Sequence, residues 1–321
     1  MLGIPLKEEK GHGPAAALDL LGLEVLLAST WVGLRLTDAR REALAQAVSE
    51  AVRTRRLTRR DAARLGGQLG FANSALFGRF GRVYTNAVAA HEGGWSPQLD
   101  HALGAILQCP LYHTQKHGAG RPTAVAYADG SWCRRALSGA VGGVLFTTHA
   151  GNHCFSAVIP AQIRAELLTA AKQQRNTQSE LFAVLTLLLT FADVLRGADV
   201  VLYEDNTAAK DNILSGAAGD ADSQALVGAI WLLAAVLRIS LQVEYIASES
   251  NPSDCFSRPD ESPKQQEAHE LTAAFSLSHA EARLPASLQM DAAVWASALS
   301  TSQEEWAHAD RRARPLLLGP V

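Results

Sequence analysis

Four acidic residues in this chain stand where acids are awkward for packing but useful for chemistry. Asp129 closes the apolar run TAVAYAD, and Asp205 closes a second such run, DVVLYED. Glu180 opens the apolar helical stretch SELFAVLTLLLTF, and Asp254 begins a short turn within NPSDCFSR. If the two apolar runs are neighbouring strands, Asp129 and Asp205 lie one inter-strand spacing apart, roughly 5 Å. A helix start and a loop can reach the same sheet edge. Carboxylates gathered there repel one another, and without compensation at least one takes up a proton. Divalent cations remove the conflict, and an all-oxygen donor set suits Mg²⁺ or Mn²⁺ rather than zinc, which prefers His and Cys. Two such ions about 3.5–4 Å apart favour in-line hydrolysis of a phosphodiester. Each acid also has a plainer reading: Asp129 before Gly130 as a turn residue, Glu180 as a helix-dipole partner, Asp254 after Pro252 and Ser253 as an N-cap. The combination in this order is what favours the metal site.

The elements that must position these acids can be read from the pattern. Thr123–Asp129, Ala140–Thr148 and Asn152–Ile159 are strand-like, and the turn His149–Asn152 makes the last two a hairpin. Helical segments follow at about 161–174 and 179–196, then a strand at Asp199–Tyr203, helices at about 206–215 and 221–237, and a strand at Ile239–Ala247. The order βββ-α-β-α-β, with one extra helix before the main one, predicts an α/β fold: a mixed five-stranded sheet with helices on both faces.

The rest of the chain differs in character. The 321 residues are 48% hydrophobic, which is enough for two soluble globular domains or for one with extensions. Leu20–Leu27 and Trp31–Leu36 read as a strand pair after an irregular lead-in, as though cut from something longer. Thr37 and Thr58 then cap two helices, one carrying Leu44, Ala47, Val48, Ala51 and Val52, the other Ala62, Leu65, Leu69 and Ala72. The net charge of −3 conceals a basic module, because residues 35–82 hold eleven arginines against four acids. Arg53, Arg55, Arg56, Arg59 and Arg60 crowd the connection between the two helices, where planar guanidinium forks suit phosphate; an exposed helix of any protein can also be arginine-rich. The Gly- and Pro-rich stretch 91–122, with a helical segment at about 97–107, is expected to link the domains. The resulting division is a small, mainly helical basic subdomain over 1–90, a linker over 91–122, the α/β domain over 123–258, and an extension of unknown role over 259–321.

The segments YADGS (127–131), QSELFAVL (178–185), YEDNTAAKDNI (203–213) and NPSDCFSRPD (251–260) resemble the ribonuclease H domain of retroelement reverse transcriptases. The stretches 18–44 and 57–76 are similar to the segment between polymerase palm and ribonuclease H in such elements, which would make residues 37–85 a thumb or connection, and the DIRS-like and pararetroviral elements are the nearest in pattern. The resemblance implies a ribonuclease H-like fold in which Asp129, Glu180, Asp205 and Asp254 hold two Mg²⁺ or Mn²⁺ ions. It also implies endonucleolytic cutting of the RNA strand of RNA/DNA hybrids, with the polymerase domain of a parent element as a partner. Ser131 and Asn206 would support the acids or contact the nucleic acid, and the Arg53–Arg60 cluster would grip its backbone with a steep salt dependence. Hybrid selectivity would come from 2′-hydroxyl contacts and duplex shape. The alternative is a domesticated or decaying fragment that binds nucleic acid, or acts as a scaffold, without cutting. Two departures stand out. The paired aspartates of a polymerase site are absent, and Ala247-Ser-Glu-Ser250 lacks the histidine that many relatives place before the fourth acid.

Other groups carry less. His113 with His117 and His149 with His153 have metal-like spacing, but they fall in a Gly/Pro-flanked loop and around a hairpin turn. Cys255 has no nearby histidine to activate it, and Trp132 reads as a packing residue. The four scattered cysteines suggest a reducing compartment. No apolar run reaches the ~20 residues needed to cross a bilayer, and no targeting signal is visible. The expected location is cytoplasm or nucleus.

Overall fold

Asp19, Gly22 and the alternating apolar residues around them build a three-stranded antiparallel meander where a strand pair was expected: β1 (Ala17–Leu20), β2 (Leu23–Leu27) and β3 (Val32–Leu36). Gly22 splits the predicted first strand because its φ of +85° turns the chain, and its N–H is held by Asp19 Oδ1 at 3.1 Å. The computed structural model describes residues 17–20, 22–27, 32–75, 81–108, 120–168, 175–285 and 287–288. The lead-in, Trp31, His113, His117, the end of the helix expected to reach 174, and 289–321 lie outside them.

Among the described residues four helices follow: α1 (Asp38–Thr54), α2 (Arg59–Ala75), α3 (Arg82–Ala89) and α4 (Pro97–Gln108). Thr58 caps α2, accepting the Asp61 N–H at 3.1 Å and donating to Asp61 Oδ2 at 2.6 Å. Thr37 stands at the N-cap of α1 but makes no side-chain cap bond. Of the apolar face read from sequence on α1, Leu44, Val48 and Ala51 are buried, Val52 is half-buried against the core and Ala47 is exposed; on α2, Ala62, Leu65, Leu69 and Ala72 are all buried. Within the 91–122 stretch, α4 buries Leu99, Ala102, Leu103 and Ile106 in the same core and packs against α1 and α3.

The second half is built on one sheet. Its strands are β4 (Thr123–Cys133), β5 (Ser138–Thr147), β6 (Asn152–Val158), β7 (Asp199–Glu204), β8 (Ser240–Tyr245) and β9 (Ser278–His279). The helices are α5 (Ala161–Leu168), α6 (Asn176–Thr190), α7 (Ala192–Leu195), α8 (Thr207–Ser215), α9 (Ala221–Val236) and α10 (Ser262–Phe275). The strand order is β8-β7-β4-β5-β6-β9, with β4, β5 and β6 antiparallel and β7 and β8 parallel to β4. This is a mixed sheet with helices on both faces. The expectation of five strands is corrected to six, because β9 lies beyond the predicted domain end and pairs in parallel with β6.

Helix α6 is the centre of the core. Leu181 through Leu188 are at most 1% exposed, and each buried Leu or Phe contributes roughly 1.5–3 kcal/mol of apolar burial. It rests on β4 through Ala124, Ala126 and Ala128, whose small side chains let helix and strand approach closely. On the opposite face, Val144, Cys154, Cys255, Phe256 and Leu277 form a second cluster that seats α10 through Ala268 and Leu271.

Candidate metal centre

Strand register does the first part of the positioning. Tyr127 pairs with Tyr203 across β4 and β7, and their rings stack at 5.2 Å. Continued two residues, the same register sets Asp129 beside Asp205 on one face, as alternation along strands requires. Glu180 arrives from α6. The Gly130 N–H donates to Glu180 Oε2 at 2.7 Å, and Ser179 Oγ donates to the Gly130 carbonyl at 2.9 Å. No side chain fits at position 130, since a Cβ there would lie 2.2 Å from the Ser179 carbonyl.

Asp129, Glu180 and Asp205 each offer an oxygen within 4.8 Å of the others. Asp129 and Glu180 are buried, and Asp205 is half-buried. No salt bridge to a Lys or Arg reaches any of the three among the described residues. Burial pushes the Asp129 carboxyl up to about 6; the Ser257 hydrogen bond opposes the rise, while repulsion from Asp205 and Asp254 adds to it. Glu180 is raised well above the ordinary carboxylate range, first by burial and then by Glu204, Asp129 and Asp205. Such a site is under-supplied with positive charge.

The loop 251–258 forms the other wall. Asn251 Nδ2 donates to the Ala128 carbonyl at 3.1 Å, and Asn251 Oδ1 accepts the Ser253 hydroxyl at 2.6 Å. Ser131 Oγ and Ser156 Oγ hold the carbonyls of Ser257 and Phe256, both at 2.6 Å. Ser257 in turn donates its hydroxyl to Asp129 Oδ2. Gly142 makes room for this loop, as a Cβ on it would lie 2.5 Å from the Ser257 nitrogen. Asp254 is in this wall, but its carboxylate is not among the three that converge. Its Oδ1 is bonded by Arg258 at 2.8 Å and its Oδ2 by Lys264 at 2.7 Å.

Two residues escaped the sequence reading. Ser257 is fully buried against Asp129, and Glu204 is fully buried behind Asp205. Glu204 faces the α6 side of β7 with Val200 and Leu202; one oxygen accepts the Asn206 N–H at 3.2 Å, and the other has no hydrogen-bond partner among the described residues. Burial raises its carboxyl well above the ordinary range. The signal for Glu204 was strand parity, since in YED the acid next to Asp205 must point to the opposite face. Ser257 gave no such signal.

The other candidates are placed as follows. Asn206 caps α8, its Oδ1 accepting the Ala209 N–H at 3.0 Å. Asn206, Ser131 and Arg258 line a groove of about 780 Å³ that contains the three acids. Arg53 is exposed and forks Glu50 at 2.9 and 2.6 Å; Arg55, in a left-handed conformation at φ 50°, caps α1, and Arg59 and Arg60 open α2. His149 and His153 bond the carbonyls of Val194 and Ala150 rather than each other. Burial pushes the Cys255 thiol up to about 12, far from a nucleophile's range. Cys133, Cys154 and Cys255 are free thiols.

No family model and no curated protein matches the chain. Among solved structures it is similar to an RNase H1 from the halophilic archaeon Halobacterium salinarum, at 17% identity over 42% of this chain and 95% of that one, with a TM-score of 0.31. It is also similar to the N-terminal RNase H domain of a Mycobacterium tuberculosis protein, solved as a fusion with maltose-binding protein. There the identity is 15% over 46% of this chain and 99% of that one, with a TM-score of 0.33. Among the described residues no helix is long and apolar enough to cross a membrane.

Proposed function

We propose that the chain is a metal-dependent ribonuclease H-type endonuclease that cuts the RNA strand of RNA/DNA hybrids, as part or remnant of a retroelement reverse transcriptase. The observation that carries this reading is the convergence of Asp129, Glu180 and Asp205 within 4.8 Å, with no ion pair to a Lys or Arg among the described residues, at the edge of a ribonuclease H-like sheet. The donor set fits Mg²⁺ or Mn²⁺, being all oxygen and short of positive charge. When bound, the ion supplies the charge that keeps the three acids ionised and the Lewis acidity that phosphodiester hydrolysis needs. The chain's own groups do the rest. Ser257 and Gly130 each fix one oxygen of Asp129 and Glu180, leaving the other oxygen of each for the ion. Arg258 and Asn206 line the groove in which a phosphate would lie. The exposed Arg55, Arg56, Arg59 and Arg60 are assigned to backbone grip, and Arg53 joins them only by leaving Glu50.

The second reading, a nucleic-acid-binding relic that no longer cuts, draws on the ion pairs at Asp254 and on the missing histidine at 247–250. A labelled RNA/DNA hybrid with single- and double-stranded controls separates the two. Cleavage in Mg²⁺ or Mn²⁺, abolished by chelator, is expected from the wild type. Asp129→Asn and Asp205→Asn should each lower the rate by about 10³-fold or more, since several kcal/mol of charge stabilisation is removed at 1.36 kcal/mol per tenfold. A folded wild type that binds hybrid with steep salt dependence and never cuts would establish the relic instead.

A further inference from the structure

The fourth acid is surrounded by cations of the chain itself. Arg258, four residues on, holds Asp254 Oδ1 at 2.8 Å, and Lys264 in the first turns of α10 holds Oδ2 at 2.7 Å. Lys264 is gripped a second time by Glu267 at 2.7 Å. The arrangement is built into the fold rather than left to a loose surface pair: α10 is seated by Ala268 and Leu271 on the Val144, Cys154 and Phe256 cluster, and β9 behind it pairs with β6. The Asp254 side chain is 11% exposed, so little water competes for its oxygens. A divalent ion held by Asp254 would have to approach these two positive charges at close range or displace one of them.

We propose that Lys264 and Arg258 take, at Asp254, the place of a second divalent cation, so that the centre holds one divalent ion between Asp129, Glu180 and Asp205. This rests on the metal-dependent reading of the site. It assigns Lys264 as a positioning residue, which keeps Asp254 neutralised, and makes Arg258 the groove-lining charge on that side. Arg258 has guanidinium donors beyond the one on Asp254, and a phosphate oxygen in the groove can accept them.

The test counts Mn²⁺ bound per full-length chain by electron paramagnetic resonance, free and with a hybrid whose RNA strand is 2′-O-methylated and resists cutting. The wild type should bind one ion in both cases, and Asp205→Asn none. Asp254→Asn should leave the count at one and the affinity within about twofold, because Asp254 is not a ligand. Lys264→Met combined with Arg258→Met should raise the count to two, whereas Lys264→Arg should keep it at one. A wild type that binds two ions, an Asp254→Asn variant that loses its ion, or a double variant that still binds one would overturn the proposal. The first two measurements decide it even if the double variant does not fold. Counts as expected, with no cleavage of ordinary hybrid, would sink the nuclease reading and leave this inference standing; a wild type that binds no ion removes both.

Discussion

Asp129, Glu180 and Asp205 share one end of the sheet with Asp254, yet the two groups reach charge balance by opposite routes. The first three are pressed together by β4, α6 and the end of β7, with neutral hydrogen bonds from Gly130 and Ser257 and, among the described residues, no basic side chain in ion-pair reach. Asp254 lies in a loop whose neighbours bring it two cations. One group is left short of positive charge, as the proposed ion site requires, and the other is balanced as folded. Proximity along one sheet edge therefore does not give four acids the same surroundings. What decides them is which element delivers the compensating charge.

The largest expected effects break the comparison mechanically, through the glycine that seats each half. In Gly130→Ala the new Cβ meets the Ser179 carbonyl at 2.2 Å and the Glu180 nitrogen at 2.6 Å, both backbone and unable to swing aside. In Gly142→Ala it meets the Ser257 nitrogen at 2.5 Å and the Phe256 carbonyl carbon at 2.6 Å. Each variant should lose about 3 kcal/mol in urea unfolding, the upper end for overpacking. Mn²⁺ titration should then separate them, because Gly130→Ala unseats Glu180 and loses the ion, while Gly142→Ala shifts the Asp254 loop and keeps it. The reverse pattern would show that the loop, not α6, assembles the metal site.

Opposite signs of stability change sharpen the comparison next. The Asp129 carboxyl rises from an ordinary 3.8 to about 6 on folding. A raised acid binds its proton more tightly in the folded chain, so its stabilising contribution is full below about pH 4 and is lost as pH rises through about 6. Metal-free protein should be less stable at pH 7.5 than at pH 5, and Asp129→Asn should raise its stability at pH 7.5 by roughly 1–3 kcal/mol. Asp254→Asn should lower it by roughly 1–3 kcal/mol, because the half-buried Lys264 and the exposed Arg258 lose their buried partner. Thermal melts in chelator at both pH values give the four numbers. If both variants move stability in the same direction, the two halves do not differ as described.

Much of this site was legible in sequence, for reasons that can be named. Period-two alternation and the apolar runs ending at Asp129 and Asp205 fixed which strands carry the acids, and the unbroken apolar text after Glu180 marked α6 as a core helix. Local patterns of this kind survive into the fold because they set the face a residue occupies. Long-range partners were not legible. Ser257 is 128 residues from Asp129, and nothing in its surroundings distinguishes a hydroxyl that holds a carboxylate from a turn serine. Lys264 lay in DESPKQQE, a stretch that reads as a polar surface helix, and it reaches Asp254 only because Leu277 and the two-residue β9 draw the chain back onto the sheet. The six-stranded sheet was missed for the same reason, since two residues carry no strand signal of their own.

Ser257 supplies the smallest and most specific probe, because it touches the half short of positive charge from within the loop that carries the balanced one. Its hydroxyl holds Asp129 Oδ2 and restrains the rise of that carboxyl. Ser257→Ala removes the restraint, so the proton competes with the ion up to a higher pH. Mn²⁺ affinity should fall several-fold at pH 6.5, in line with a hydrogen bond to a charged group of about 1.5 kcal/mol or less once relaxed, and should approach the wild type at pH 8.5, where Asp129 is ionised in both. The pH dependence separates an electrostatic role from a positional one. An equal loss at both pH values would mean that Ser257 acts by placing the 251–258 loop, and the division between the two halves of the acidic edge would then rest on loop geometry as much as on charge.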